Sequence, residues 1–249
     1  MKKIALYIMF LFAVQLVAAQ SFEKGNALYK EGNYASAAAQ YEGILKQKKE
    51  SAEIYFNLGN AYYKMGEVAP AVYNYKKALL LHPGYKEAQV NLGFAQKMAI
   101  DDIKAVPRVG FSKMVYNAAS NFHYNTWAWI ALGFAGLFFL FFLGYYFGGS
   151  TLIKRIFFVG MFIGIGGSVV GVLSAIYVKS HFEAERPAVV FAEVVSVKEE
   201  PRDMANDAFI LHEGTQVNVE ETVGDWKKIQ LADESVGWIK SGAIKEVKN

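Results

Sequence analysis

Two long uncharged stretches constrain this chain more than any other feature. Trp127–Phe147 reads WAWIALGFAGLFFLFFLGYYF, and Ile156–Val178 is a second apolar run without a charge. Wound as a helix, the first is roughly 30 Å long, the thickness of a bilayer's hydrocarbon core. Trp127, Trp129, Tyr145 and Tyr146 stand at its two ends, where aromatic side chains favour the membrane–water boundary. A soluble core does not accommodate two such runs, so the reading is two membrane spans. The link 148–155 is short and contains Lys154 and Arg155. Spans joined this tightly form an antiparallel hairpin, and the positive-inside rule puts the link in the cytoplasm. Gly160, Gly164, Gly167 and Gly171 make a stripe of small residues on the second span. Small residues let helices approach closely in lipid. The stripe packs either against the first span or against another membrane protein. Neither span holds an ionisable residue, which argues against proton relay and charged-substrate transport.

The first residues read as an export signal. Lys2 and Lys3 precede the apolar run Ile4–Val14, and Val17, Ala18 and Ala19 offer small residues for cleavage before Gln20. Uncleaved, the same segment would be an anchor. In both cases Ser21 onward is exported, and the hairpin then returns the C-terminal segment to the same side.

Between the signal and the spans the chain repeats itself. Gly25, Gly59 and Gly93 are spaced by 34, and so are the pairs Gly32/Gly66, Ala37/Ala71, Tyr41/Tyr75 and Leu45/Leu79. Asn57-Leu58-Gly59 recurs as Asn91-Leu92-Gly93. That period, with Leu58, Gly59, Tyr62, Gly66, Ala71, Tyr75, Ala78 and Pro83, resembles the tetratricopeptide family. Gly59 and Ala71 are small where two helices cross. Tyr62 and Tyr75 fill the space between neighbouring repeats. Gly66 ends one helix and Pro83 the next. The count is two full repeats and a capping helix from Tyr85 to about Ile103. One repeat cannot bury its apolar face alone, so neighbours must stack.

The resemblance implies a concave groove lined by the first helix of each repeat. By register Phe22, Asn26, Tyr29 and Lys30 line it in the first unit. Phe56, Asn60, Tyr63 and Lys64 follow in the second, and Val90 and Phe94 in the third. Some family members hold a peptide's terminal carboxylate with two Asn and three basic residues. Asn26 and Asn60 match, but Phe22, Val90 and Phe94 stand where the bases should be, so that clamp is not expected. A groove rich in Phe and Tyr suits an apolar or extended peptide. The alternative occupant is the chain's own amphipathic segment Val109–Phe122.

From Pro187 the periodicity changes to that of strands. Val189–Val197, Gln216–Glu220, Trp226–Leu231 and Val236–Lys240 are rich in β-branched and aromatic residues, with turns at 224–225 and 232–235. Leu211-His212-Glu213-Gly214-Thr215 with Val217 and Val219, then Trp226-Lys227-Lys228-Ile229 and Gly237-Trp238-Ile239, resemble a bacterial SH3-like domain. The resemblance implies a small barrel of five or six strands, with 198–206 as its variable loop. It also implies a shallow aromatic groove for cell-wall peptide or protein segments, lined by Trp226 and Trp238. One or both of these tryptophans are otherwise core, Trp238 in particular because it follows a glycine in a central strand.

Several function classes fall away. With no cysteine, disulfides, thiolate nucleophiles, thiolate-bound zinc and iron–sulfur clusters are excluded. A net charge of +3 with scattered lysines is too mild for nucleic-acid binding. His82, His123, His181 and His212 are isolated, and no phosphate loop or nucleophile elbow is present. No catalytic set, metal site or cofactor is therefore expected, and the chain reads as a non-enzyme.

The fold class that follows is a multidomain membrane protein: an all-α tetratricopeptide array, a two-helix transmembrane hairpin and a small all-β SH3-like barrel. Its parts are a signal peptide (1–19), repeats (20–104) and an amphipathic linker (105–126). Then come the first span (127–147), a cytoplasmic loop (148–155), the second span (156–178), a linker (179–186) and the SH3-like domain (187–249). This order resembles the BatE family of Bacteroides aerotolerance operon proteins. The resemblance implies an inner membrane with both exported parts on the periplasmic side, and a role in oxidative or envelope stress. It further implies neighbours with von Willebrand factor A domains and a MoxR-type ATPase. Two functions are compatible with it, a scaffold that gathers protein partners through its repeats and a wall-sensing or tethering module acting through the barrel. A cytoplasmic signalling output is disfavoured, because the loop is too short to form a domain.

Overall fold

The computed structural model describes residues 21–104, 106 and 111–248, excepting the side chains of 111–113. The signal segment 1–19 and the start of the amphipathic segment, Val109, lie outside the described residues. The chain divides into two units: one contains the residues up to Pro107 and from Arg186 onward, the other Arg108–Glu185.

The first unit begins with helix pairs. Helix α1 (21–30) is followed by α2 (Tyr34–Lys46), α3 (Ala52–Met65), α4 (Val68–Leu81) and α5 (Lys86–Gln96). Caps set the boundaries. The side chain of Asn33 accepts from the Ser36 amide, and that of Ser51 from the Ile54 amide. Gly32 and Gly66 both turn with φ near +80°, at +81° and +82°, which a side chain would strain. After each, the chain bonds back to the preceding helix in the same way, Asn33 to the Leu28 carbonyl and Glu67 to that of Tyr62.

The repeat spacing becomes packing at two matched crossings. A Cβ on Gly25 would lie 2.6 Å from the Tyr41 ring, and one on Gly59 would lie 2.8 Å from the Tyr75 ring. Both rings are buried. Each tyrosine thus lies on the glycine of its own repeat, while Tyr62 reaches the neighbouring repeat and donates to Glu42. At Gly93 nothing among the described residues lies within 4 Å of such a Cβ.

The capping helix is shorter than its periodicity predicts, ending at Gln96. Beyond it the chain runs across the C-terminal sheet. Ile103 packs on the sheet's core, and Val106 N–H donates to the Ala232 carbonyl.

The sheet has seven antiparallel strands: β1 (Pro187–Val190), β2 (Val194–Lys198), β3 (Asp207–His212), β4 (Gln216–Val223), β5 (Trp226–Gln230), β6 (Val236–Lys240) and β7 (Ile244–Glu246). The order is β3-β2-β6-β5-β4-β1-β7. Residues from every strand share one core, including Val190, Val197, Leu211, Val219, Ile229, Ile239 and Ile244. The expected barrel is not closed, however, because β3 and β7 stand at opposite ends of the order. The reason lies in β1 and just past β7. Val189 and Val247 join the core formed by Val68, Val72 and Tyr75 rather than the sheet's own. This end of the sheet is packed on helix α4, so β7 does not turn back to β3. The third repeat has no second helix among the described residues, and the sheet covers the apolar side of α4 instead.

The expected single run Val189–Val197 is divided by 191–193, where Phe191 N–H donates to the Ala243 carbonyl. This turn brings the Phe191 ring edge-on to Tyr73 at 5.6 Å.

The second unit contains α6 (Phe111–Ala119), α7 (Tyr124–Phe147) and α8 (Thr151–Ala184). Helices α7 and α8 are long and apolar enough to cross a membrane. Helix α8 begins at Thr151, so Lys154 and Arg155 lie on its first turns and only 148–150 link the two. At its other end it continues past Val178 through Lys179, which pairs with Glu183, to Ala184. There Tyr116 of α6 packs beside His181 at 5.3 Å.

All four stripe glycines face α7. A Cβ on Gly160 would meet Phe141, and one on Gly167 would meet Phe134. At Gly164 it would lie 2.9 Å from the Phe138 backbone, and at Gly171 3.0 Å from that of Ala131. The stripe lets the two backbones approach within the hairpin.

Candidate functional site

The groove positions lie on α1, α3 and α5, and their accessibility differs along the array. Phe22 and Phe56 are half-buried. Phe22 packs 5.9 Å from Tyr41, and Phe56 packs 6.1 Å from Tyr75 and 4.9 Å from Tyr85. Tyr29 is half-buried against Tyr34, and Tyr63 is half-buried beside the core of the second repeat. Lys30 and Lys64 are exposed. Val90 and Phe94, at 56% and 49% exposed, are the open apolar positions. Among the described residues no tyrosine one helix later covers them, whereas Phe22 and Phe56 are covered in this way.

Asn26 and Asn60 carry a repeated network. The Asn26 side-chain oxygen accepts from the Tyr41 phenol at 2.8 Å and from Asn57 at 3.1 Å. The Asn60 oxygen accepts from the Tyr75 phenol at 2.7 Å and from Asn91 at 2.8 Å. These amide oxygens join each helix pair to the next. Burial pushes the Tyr41 phenol up to about 12 and raises that of Tyr75 further, so both remain donors at any physiological pH.

A family model described as a TPR repeat matches residues 25–66, and another described as a tetratricopeptide repeat matches 52–85. Residues 25–85 are tetratricopeptide repeats. No curated protein matches the chain.

In the sheet, strand register places Trp226, Lys228, Trp238 and Lys240 on one face, since Trp226 pairs with Lys240 and Lys228 with Trp238. Trp226 is only 9% exposed, with the Lys240 ammonium 4.3 Å above its ring. Trp238 is half-buried and alternates with the buried Gly237 and Ile239, so its ring lies opposite the sheet's core.

One cluster has no signal in the sequence. Asp101 follows the capping helix, and His212 and Thr215 flank the turn after β3. The Asp101 carboxylate accepts from the His212 amide at 2.7 Å and from the Thr215 hydroxyl at 2.5 Å, and it meets His212 Nδ1 at 2.7 Å. Its side chain is 13% exposed. Burial alone would raise this carboxyl, but the bonds from Thr215 and His212 outweigh it and hold it below its ordinary value. His212, isolated in sequence, is thus joined to the repeats.

A carboxyl held low stabilises the fold above its ordinary titration range, and that contribution disappears as pH falls through the depressed value. Asp101→Asn removes the same contribution at neutral pH and should cost about 2 kcal/mol. Thermal unfolding between pH 7 and pH 3 checks both. The difference between wild type and variant should shrink as pH falls, and a constant difference would contradict the assignment.

Proposed function

We propose that this chain is a non-enzymatic, membrane-anchored scaffold of a bacterial envelope that binds protein partners through the groove of its repeats. The carrying observation is the apolar end of that groove. Val90 and Phe94 are exposed on the last helix of an array whose family is built for protein contacts. Exposed apolar residues grouped on one helix face mark an interaction surface better than scattered ones do.

Anchoring through α7 and α8 draws support from their length and from their apolar side chains, which are exposed over most of both helices. An even number of crossings returns the chain to the side it left. That agrees with the contacts between residues before the hairpin and residues after it, such as Asp101 with His212. On this reading both exported parts face the periplasm from the inner membrane. The likeness in domain order to the BatE family makes an aerotolerance complex the proposed setting, and von Willebrand factor A-domain membrane proteins the proposed partners.

The test is recovery of partners from detergent-solubilised native membranes. Val90→Ser with Phe94→Ser, both at exposed positions, should abolish it while leaving helical content and melting temperature unchanged. Undiminished recovery would remove the groove from the proposal. A second reading, wall or peptide binding by the sheet, is favoured only by the half-open Trp238. It predicts that Trp238→Ala, and not Phe94→Ser, abolishes pelleting with peptidoglycan.

A further inference from the structure

Lys77 is a charged side chain in an unusual place. It belongs to α4 and is 6% exposed. Among the described residues no carboxylate lies within ion-pair distance of it. Its ammonium stands 5.8 Å from the centre of the Tyr55 ring and 5.9 Å from that of Tyr73. Two ring faces offset part of the cost of burying a cation, but without a carboxylate in contact the burial remains costly. Burial accordingly lowers its pKa, against the opposing pull of Glu50.

Both tyrosines line a cleft of about 490 Å³, within the range of roughly 300–1,000 Å³ typical of ligand pockets. The cleft runs between the outer helices α2 and α4 and is floored by α3. The sheet supplies Phe191 and Lys245 to it. Tyr62 completes an aromatic lining, and Lys46 joins Lys245 as a second exposed ammonium. Lys245 lies 4.4 Å from the Phe191 ring centre and 5.9 Å from that of Tyr73.

Two carboxylates lie nearby, and Glu42 itself lines the cleft. Glu42 accepts from the Tyr62 phenol, and Glu50 accepts from that of Tyr55 at 2.8 Å. Lys46, Lys77 and Lys245 have no such partner among the described residues. The cleft is therefore an aromatic trough in which the ammonium groups of Lys46, Lys77 and Lys245 outnumber the carboxylates of Glu42 and Glu50.

We infer that this cleft is a second docking site, distinct from the concave groove, for an acidic stretch of a partner polypeptide that inserts an aromatic or apolar side chain. Aromatic walls take up the inserted side chain, and Lys245 and Lys46 pair with the flanking carboxylates. The site needs both the repeats and the sheet, since neither alone provides both Tyr73 and Lys245. It does not depend on the concave groove binding anything.

The test uses the full chain in detergent and two fluorescein-labelled hexapeptides, one alternating aspartate with phenylalanine and the other lysine with phenylalanine. Fluorescence anisotropy should show the acidic peptide binding at least about tenfold more tightly, with affinity falling as salt rises. Lys245→Glu should abolish that preference. Lys46→Glu, on a different element, should reduce it several-fold, and Phe94→Ser should leave it intact. Equal binding of both peptides, or no binding at millimolar concentration, would overturn the site. Loss caused by Phe94→Ser but not by Lys245→Glu would also overturn it, and would move the peptide into the concave groove.

Discussion

Tyr75→Ala should lower the melting temperature of the repeat-and-sheet unit by roughly 10 °C, a larger effect than any substitution on the unit's surface. The ring is fully buried, lies on Gly59 and belongs to the core that also takes Val72, Val189 and Val247. Truncating a large buried aromatic costs about 3–5 kcal/mol, from lost burial and from the cavity left behind. In a unit of this size each kcal/mol moves the midpoint by about 2–4 °C. The cavity has little means to collapse, because sheet and repeats meet there. Tyr75→Phe removes only the bond to Asn60, whose oxygen keeps Asn91 as a donor, and should cost about 1 kcal/mol. Two glycines check the same packing from the other side. Gly59→Ala drives a methyl to 2.8 Å from the Tyr75 ring and should destabilise, although alanine favours a helix. Gly93→Ala meets open space and should be neutral or stabilising. Equal melting temperatures for the two glycine variants would mean that Tyr75 does not rest on Gly59.

The repeats were legible because their signals are local and recur. The 34-residue spacing fixes which glycine meets which tyrosine, and it fixes the cap geometry at Gly32 and Gly66. The same spacing carried Asn57 and Asn91, yet the role of Asn26 and Asn60 as joints between helices emerges only when both donors are in view. Helix α8 passes the end of its apolar run because Lys179 interrupts hydropathy and not helix formation. Pro187 is the first residue that cannot continue it. Strand β3 is absent from the strand-like runs of the sequence, since of Asp207–His212 only Ile210 is β-branched.

What was not legible depends on distance along the chain. Asp101 and His212 meet across 111 residues, with the hairpin between them. Lys77 reads as one of two adjacent solvated lysines on a helix until Tyr55 and Tyr73 are seen beside it. The open sheet has the same origin. Periodicity says that Val189 and Val247 are apolar, but not that they pack on a neighbouring helix.

Gly164→Val should force the hairpin apart, and Gly166→Val, two residues away, should not. At Gly164 the added Cβ lies 2.9 Å from the nitrogen and Cα of Phe138, so the obstacle is backbone and cannot rotate aside. At Gly166 it meets nothing within 4 Å among the described residues. Overpacking of this kind costs about 1–3 kcal/mol when neighbours can adjust, and more when a helix must shift as a body. With the hairpin in lipid, as proposed, this loss has no hydrophobic compensation, since helices associate there by close packing. The native chain has no cysteine, so an engineered pair reports the separation without background. A Cβ on Gly171 would lie 2.9 Å from that of Ala131, whereas a disulfide places its two Cβ atoms about 3.8 Å apart. Ala131→Cys with Gly171→Cys therefore needs an opening of under about 1 Å to cross-link. Oxidation of that pair in membranes should go nearly to completion alone and with Gly166→Val, and fall several-fold with Gly164→Val. Equal yields in the two valine backgrounds would mean that the stripe faces away from α7, towards another membrane protein.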